Sequence, residues 1–499
     1  IFGDVTVMDT FMPLLEEALD AYRKQLIAIP GSTFMTIEQW LSCCSLPGSK
    51  KDKIRAAISR YGDTTVLLPS DTWYSCFMKD EFYSEYKALR GIFGQSDRLK
   101  GILGPVFTTI EDHFFKQRNS IKHCDWADLP ALIIEKVFSM GAQYRATDYS
   151  SLEKSHGEEI SDLIVFAVYR HLCQANAHAL ACIELAYDSR AQMTFNFNGF
   201  TVRSDMKLSS GCRDTSLANF VLNDFMCFLV GYHRGILEKH VCEGDDALQS
   251  THAKTNVALD QAIVRTVGLD LTFEVSNSPF KLDFCGQAMD DMDRQLLTDP
   301  AKVLLRFGWL PSKYAHCKRN TKLALYRSRA LSLMLLYSCC PVVAAFASRV
   351  IFLTRDVDHR RVRRMITNVY QREKFDKMDS AYKALLKAGL ASGGFIKVAP
   401  IGEGTRQLFS DKYNMSVSLQ HQLERDFLSM SIGNIKSPRF SAYCDVRSSI
   451  WRDNSDVYVR QADEPFVRPM IKDQARVDLV LSLISNPELI PLMKLRGHS

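Results

Sequence analysis

The sequence predicts an α+β protein, and three observations carry that reading. The stretch VCEGDDAL at 241–248 has two short apolar runs meeting at a glycine and two acids, the pattern of a hairpin, and other short extended segments lie around it. Asp214 to Gly235 reads as one long buried helix. Beyond Met292 nearly every segment has helical texture.

Taken in order, residues 10–60 read as helices broken at Pro30-Gly31 and Pro47-Gly48. From Trp73 to Thr109 the texture is charged and aromatic. Residues 130–147 alternate toward an extended segment that ends at Asp148, and EEISDLIVFAVYRHLCQ after it has helical periodicity. Short strands are expected around Gly199, before the long helix. The hairpin follows, then a helix near 255–267 and two short strands, LTFEV and KLDFC. No internal repeat or low-complexity linker is present, so the lobes of the chain are expected to interweave.

With 499 residues, 46% of them hydrophobic, the chain has material for a large core and two or three lobes. Its net charge of +5 permits a polyanionic partner without requiring one. Fourteen cysteines with no CxxC spacing point to reduced thiols in a cytosolic compartment. His171, Cys173, His178 and Cys182 cluster in sequence, but the spacing suits one helix face poorly, so buried helix residues are expected there and not zinc. The chain starts with Ile1 and has no signal peptide, which suggests a mature product or a piece of something longer. The uncharged run Ala330 to Ala347 is interrupted by Pro341 and is expected to form two buried helices, not a membrane span.

The Gly-Asp-Asp tripeptide alone decides nothing, since composition makes it expected in roughly one chain in ten of this length. A solvated loop and a cation held at a hairpin tip both fit it. The residues before it change the odds. If the strand ending at Asp148 lies beside the hairpin, Asp148 and Asp245 converge and can hold two Mg²⁺ ions. One would activate an attacking 3′-hydroxyl, and the other would stabilise a leaving pyrophosphate. Between these acids, Ser210 to Asn219 fits S-G-x3-T-x3-N. Gly211 would let the loop backbone approach a nucleic acid, and Thr215 and Asn219 would share one face of the helix that follows.

In this order TDYSSLE, SGCRDTSLAN and EGDD resemble the palm motifs of viral RNA-dependent RNA polymerases. FKLDFCG at 280–286 resembles the strand that grips the primer in the enzymes of positive-strand RNA viruses. MKDEFYSEYKALRGI, with Lys79, Glu81, Lys87 and Arg90, resembles their basic fingers motif. RFGWLPSKY and HQLE are similar to thumb segments of the tombus-, noda- and weivirus-like group. The resemblance covers about residues 70–430.

It implies a right-hand polymerase fold with fingers, an antiparallel-sheet palm and a largely helical thumb. The implied segments are an N-terminal region and fingers over 1–118, palm over 119–165, a fingers insertion over 166–200, palm again over 201–290, and thumb and C-terminal region over 291–499. Asp148, Asp245 and Asp246 would be the catalytic metal ligands, for Mg²⁺ with Mn²⁺ able to substitute. Lys79, Lys87, Arg90, Glu153, Ser210, Gly211, Thr215 and Asn219 would bind the NTP. The implied partners are template and nascent RNA, NTPs, and other viral or host replication proteins. The implied setting is a replication complex in the host-cell cytoplasm, with no transmembrane segment in this chain. DHRRVRRM at 358–365 reads as an exposed helix face, the alternative being contact with template or product phosphates.

Two departures qualify the resemblance. The family usually has a second aspartate five residues after the first acid, where this chain has Glu153. It also commonly has a lysine general acid between the hairpin and the FCG strand, and neither Lys254 nor Lys281 is assigned that role. The rivals are another palm polymerase such as a reverse transcriptase, disfavoured by Gly244 and Asn219, and an inactive RNA-binding scaffold, disfavoured by three intact acids.

Overall fold

The computed structural model describes residues 7–79, 90–122, 124, 128–149, 152–197, 200–236, 238–253, 256–290, 295–307, 314, 317–358, 360–362, 384–385, 387, 396–431 and 443–444. They fall into two compact units, one of Ile1–Phe77 with Gly91–Cys285 and one of Met78–Arg90 with Gly286–Ser499. Both helices and antiparallel strands are present, so the protein is α+β.

The first unit begins with α1 (Met12–Arg23), α2 (Ile37–Cys43) and α3 (Gly48–Tyr61), with Pro30 and Pro47 lying between them as boundary residues. Thr36 starts α2 with a reciprocal cap, its hydroxyl accepting from Gln39 N and its N–H donating to Gln39 Oε1. Strands β1 (Trp73–Met78) and β2 (Gly91–Gly94) precede α4 (Asp97–Gln117), which Ser96 caps through Leu99 N. Residues 130–147 depart from expectation. Pro130 at the first turn and the spacing of LPALIIEK make α5 (Leu129–Lys136), and strand β3 (Gln143–Tyr149) starts only afterwards. Helices α6 (Leu152–Ser155) and α7 (Glu158–Ile160) follow, and α7 runs through a π turn at Ser161–Phe166 into α8 (Ala167–Cys173). Next come α9 (Ala177–Ala191), β4 (Met193–Phe197) and β5 (Phe200–Ser204).

Helix α10 (Thr215–Arg234) spans the region expected of it and ends at Gly235, whose φ of 61° is the left-handed conformation glycine tolerates. Most of its side chains are buried, which explains its near-continuous apolar texture. Strands β6 (Lys239–Glu243) and β7 (Asp246–Thr251) form the hairpin, followed by α11 (Val257–Thr266) and β8 (Leu271–Ser276). The strands make two four-stranded sheets, ordered β2-β1-β4-β5 and β6-β7-β3-β8, and every pairing in the second is antiparallel. KLDFC is not a strand. A 3₁₀ turn covers Pro279–Lys281, and Cys285 and Gly286 have φ of 55° and 70°, values that end extended pairing.

The second unit holds the short pair β9 (Ala288–Met289) and β10 (Leu296–Leu297), then α12 (Pro300–Phe307) and α13 (Arg319–Leu336). Helix α14 (Val343–Leu353) begins just past Pro341, so the uncharged run is two buried helices. Helices α15 (Glu403–Tyr413) and α16 (Val417–Ser429) are joined by an Arg406–Glu424 ion pair at 3.0 Å. Glu424, from the HQLE segment, also accepts from Val342 N at 3.1 Å and so caps α14. Among the described residues no helix is long and apolar enough to cross a membrane.

The loop before α10 depends on glycine for a packing reason that the sequence did not reveal. Gly211 bridges Gly94, and a Cβ on Gly211 would overlap the Phe93 carbonyl and sit 3.0 Å from Gly94 Cα. On the side where a Cβ would stand, the backbone of Phe93 and Gly94 fills the space. Gly211→Ala should therefore lose about 1–3 kcal/mol in thermal or denaturant unfolding. Gly48→Ala, with nothing within 4 Å of the added Cβ, should leave stability unchanged or slightly raised.

Candidate active site

The site is built by strand register. Thr147 pairs with Ala247 across β3 and β7, and Glu243 pairs with Asp246 across β6 and β7. One residue further along the β3 ladder, Asp148 comes opposite Asp246, and on its other side it pairs with Thr272. Side chains directly opposite share a face, so Glu243, Asp246 and Asp148 form a carboxylate row on one face of the sheet. Asp245 stands beside the row in the two-residue turn. Gly244 opens that turn with φ 61°, which is why glycine precedes the acids.

Like charges held this close resist ionising together. Burial, then the charges of Asp245 and Asp148, push the Asp246 carboxyl up to about 6. A hydrogen bond from the Cys285 thiol works in the other direction, and Asp283 adds a further negative charge nearby. Glu243 is paired with Lys122 through Oε1, while its Oε2 is buried with no hydrogen-bond partner among the described residues. A set of crowded hard oxygens with one orphaned is chemically suited to Mg²⁺ or Mn²⁺, which take oxygen ligands.

Helix α10 holds the hairpin from the opposite face. Thr215, Asn219, Asn223 and Cys227 recur every four residues and line one side of the helix. Thr215 donates to Ser209 O at 2.6 Å, which folds the loop onto the helix start, and Ser210 donates to Gly91 O at 3.0 Å. The same loop is anchored by buried Asp214, which pairs with Arg190, and by Arg213, which pairs with Glu111 at 2.9 Å. Asn219 is buried and its Oδ1 lies 3.1 Å from His156 Nε2. Burial and Arg190 drive the His156 ring down to about 3, so it is neutral and its Nε2–H is the donor. Asn223 donates to Gly244 O at 3.1 Å and fixes the turn itself. Beside it, buried Asp224 accepts from Tyr22, from Arg118 at 2.7 Å and from His240 at 2.7 Å.

The structure thus brings Asp148 and Asp246 side by side, with Asp245 adjoining. Ser210, Gly211, Thr215 and Asn219 lie along the loop and first turns of α10, and Glu153 sits half-buried on α6. Lys79 and Arg90 belong to the second unit, where Lys79 N donates to Arg90 O at 2.8 Å. Lys87, Glu81, Lys254 and residues 363–365 lie outside the described residues. The sequence reading does not reach Asn223, Asp224 or His240; the signal that could have found Asn223 is the four-residue spacing from Thr215 through Asn219 carried one step further. Cys173 and Cys182 are buried, and burial pushes each thiol up to about 12, so both stay protonated. His171 faces Leu26 O at 3.3 Å, and exposed His178 has its Nε2 3.7 Å from Cys182 Sγ, so the four residues lie on α8 and α9 as the helix reading expected.

Compared with known protein families and with curated proteins, the chain matches none.

The raised Asp246 value has a consequence for stability. An aspartate in the unfolded chain titrates near ~4, so between about pH 4 and pH 6 the folded protein binds the extra proton. Stability contributed by this group is therefore greatest at low pH and falls as pH rises through that window. Asp246→Asn should raise unfolding stability by about 1–2 kcal/mol near pH 8, and the gain should vanish below about pH 4. Thermal melts of both proteins across pH, without divalent cations, check this.

Proposed function

We propose that the protein is an RNA-directed RNA polymerase of the kind found in positive-strand RNA viruses, acting by nucleotidyl transfer from NTPs. The observation that carries the reading is the adjacency of Asp148 with the Asp245–Asp246 hairpin in one antiparallel sheet. These acids come in the order in which the sequence motifs resemble the polymerase palm, and the S-G-x3-T-x3-N segment between them lies at the start of the helix that grips the hairpin. On this reading the first unit contains the palm of a right-hand fold.

Asp148, Asp245 and Asp246 are the residues to hold Mg²⁺, with Mn²⁺ able to substitute. When bound, such ions favour ionisation of the primer 3′-hydroxyl and neutralise charge on the leaving pyrophosphate. The chain's own contribution is positional. Asn223 pins the turn at Gly244, so the acids need no reorganisation when charge develops beside them. Asn219 and Glu153 are the groups to read the ribose 2′-hydroxyl. His156 holds the Asn219 amide by its oxygen, leaving the NH₂ group for other partners. The triphosphate roles of Lys79, Lys87 and Arg90 rest on the resemblance of their segment alone. Template RNA, nascent RNA and other replication proteins are the proposed partners, in a replication complex in the host-cell cytoplasm.

Primer extension on an RNA template with labelled NTPs tests the reading. Asp148→Ala and Asp245→Ala should each abolish nearly all incorporation while circular dichroism and RNA binding stay close to wild type. If either retained activity within about tenfold of wild type, a barrier change of only ~1.4 kcal/mol, the ligand assignment would be wrong.

Sugar choice gives a second test. A dNTP would leave the buried polar groups that read the 2′-hydroxyl unpaired, and sites of this kind reject the deprived analogue strongly. Asn219→Ala should lower kcat/KM for NTPs more than for dNTPs and shrink discrimination by about 1–3 kcal/mol. Equal losses for both would assign Asn219 to holding the helix and not to reading ribose.

A further inference from the structure

The carboxylate row occupies one face of the β6-β7-β3-β8 sheet, and the opposite face holds a donor set of different chemistry. His240 and Cys242 alternate onto that face from β6, and Cys227 reaches it from α10. All three are buried, and one ligand atom from each lies within 4.8 Å of the other two. We propose that Cys227, His240 and Cys242 form a structural zinc site that staples α10 to the strand leading into the Gly-Asp-Asp turn.

Three observations and one charge argument support the assignment. The two Sγ atoms are 4.0 Å apart, close to the ~3.8 Å that two ~2.3 Å zinc–sulfur bonds subtend at the tetrahedral angle. Asp224 engages His240 Nε2 at 2.7 Å, which leaves Nδ1 as the ring's remaining donor. A carboxylate bound to the far nitrogen is the usual orienting partner of a metal-binding histidine. Gln249 points its amide at Cys227 Sγ from 2.8 Å, a contact that suits a thiolate better than a neutral thiol. Two thiolates and one dication sum to zero charge, so the filled site removes the electrostatic obstacle to burying it.

Sulfur and imidazole donors select zinc over the magnesium suited to the carboxylate face. A tetrahedral ion needs a fourth donor. A water, or the hydroxyl of buried Tyr149 on the same face of the sheet, would complete the set. The role is structural: Cys227 lies one helical turn from Asn223, and Cys242 is three residues before Asp245. The inference does not depend on the polymerase reading.

The test uses the full chain purified without chelator. Elemental analysis should find one zinc per chain. Exchange with Co²⁺ should give a sulfur-to-cobalt charge-transfer band and the strong visible bands of a tetrahedral site. Cys227→Ser and Cys242→Ser should each weaken zinc affinity by about tenfold or more and diminish the charge-transfer band, while Cys182→Ser changes neither. Should the serine variants fail to fold, X-ray absorption on the wild-type protein decides by counting two sulfurs in the zinc shell. Absence of retained zinc together with no charge-transfer band would overturn the proposal. So would a band that persists in the double variant, or a zinc shell without sulfur.

Discussion

The buried carboxylate of Asp224 is the interaction on which the rest of the first unit depends. Burial alone would raise its pKa, yet Arg118, His240 and Tyr22 hold it well below the usual carboxylate range. These partners come from α1, from the end of α4 and from β6, so one side chain of α10 joins segments far apart in the sequence. Removing one partner from such a buried pair costs about 3–5 kcal/mol, because the other charge is left uncompensated. The strand so fixed is the one that enters the Gly-Asp-Asp turn. The position of the acids is therefore set from behind, by a charge network they do not share.

The two faces of that sheet do opposite electrostatic work. On one face Glu243, Asp246 and Asp148 stand in a row of like charges that opposes folding. On the other, Arg145 of β3 pairs with Asp260 and, at 2.6 Å, with Glu238, and it donates to Gln249 of β7 at 2.5 Å. Alternation along β3 is what separates them, since residues 145 and 148 point to opposite sides. The repulsion concentrated on the first face is tolerated because the second is compensated and packed. On the proposed reading this division suits cation binding, because the charges of Asp148 and Asp246 crowd one face while the scaffold behind them carries its own ion pairs.

Much of this was legible in the sequence, and the failures have physical causes. Helix α10 announced itself through a long apolar run, a polar start at Asp214 and a terminating Gly235, three local signals that agree. The hairpin was legible because Gly244 must adopt positive φ and the flanking runs are apolar. Within residues 130–147, expected to alternate toward a strand, the first part is helical: a short apolar run does not reveal its period, and Pro130 at a first helical turn fits the helix. KLDFC looked like a strand because its composition is right for one, but Cys285 takes a positive φ that no β-propensity of cysteine would suggest.

The residues that hold the site were the least legible, and this too has a reason. Asp148 could be brought to the Gly-Asp-Asp hairpin by supposing one strand beside it, because strand register is a one-parameter problem, but the partner expected was Asp245 and the register puts Asp246 opposite it. Asp224, His240 and Cys227 meet across a helix–sheet interface, where the contact depends on the rotation of α10 as well as its position along the strands. Cysteine spacing failed for the same cause: Cys227 and Cys242 come from different elements, whereas the cluster that stood out by proximity, His171 to Cys182, is spread over two helices. The signal that could have crossed that barrier is the four-residue recurrence Thr215, Asn219, Asn223, Cys227, of which the sequence reading used only the first two. It records a helix face in one dimension, and that face proves to be the one turned to the back of the hairpin.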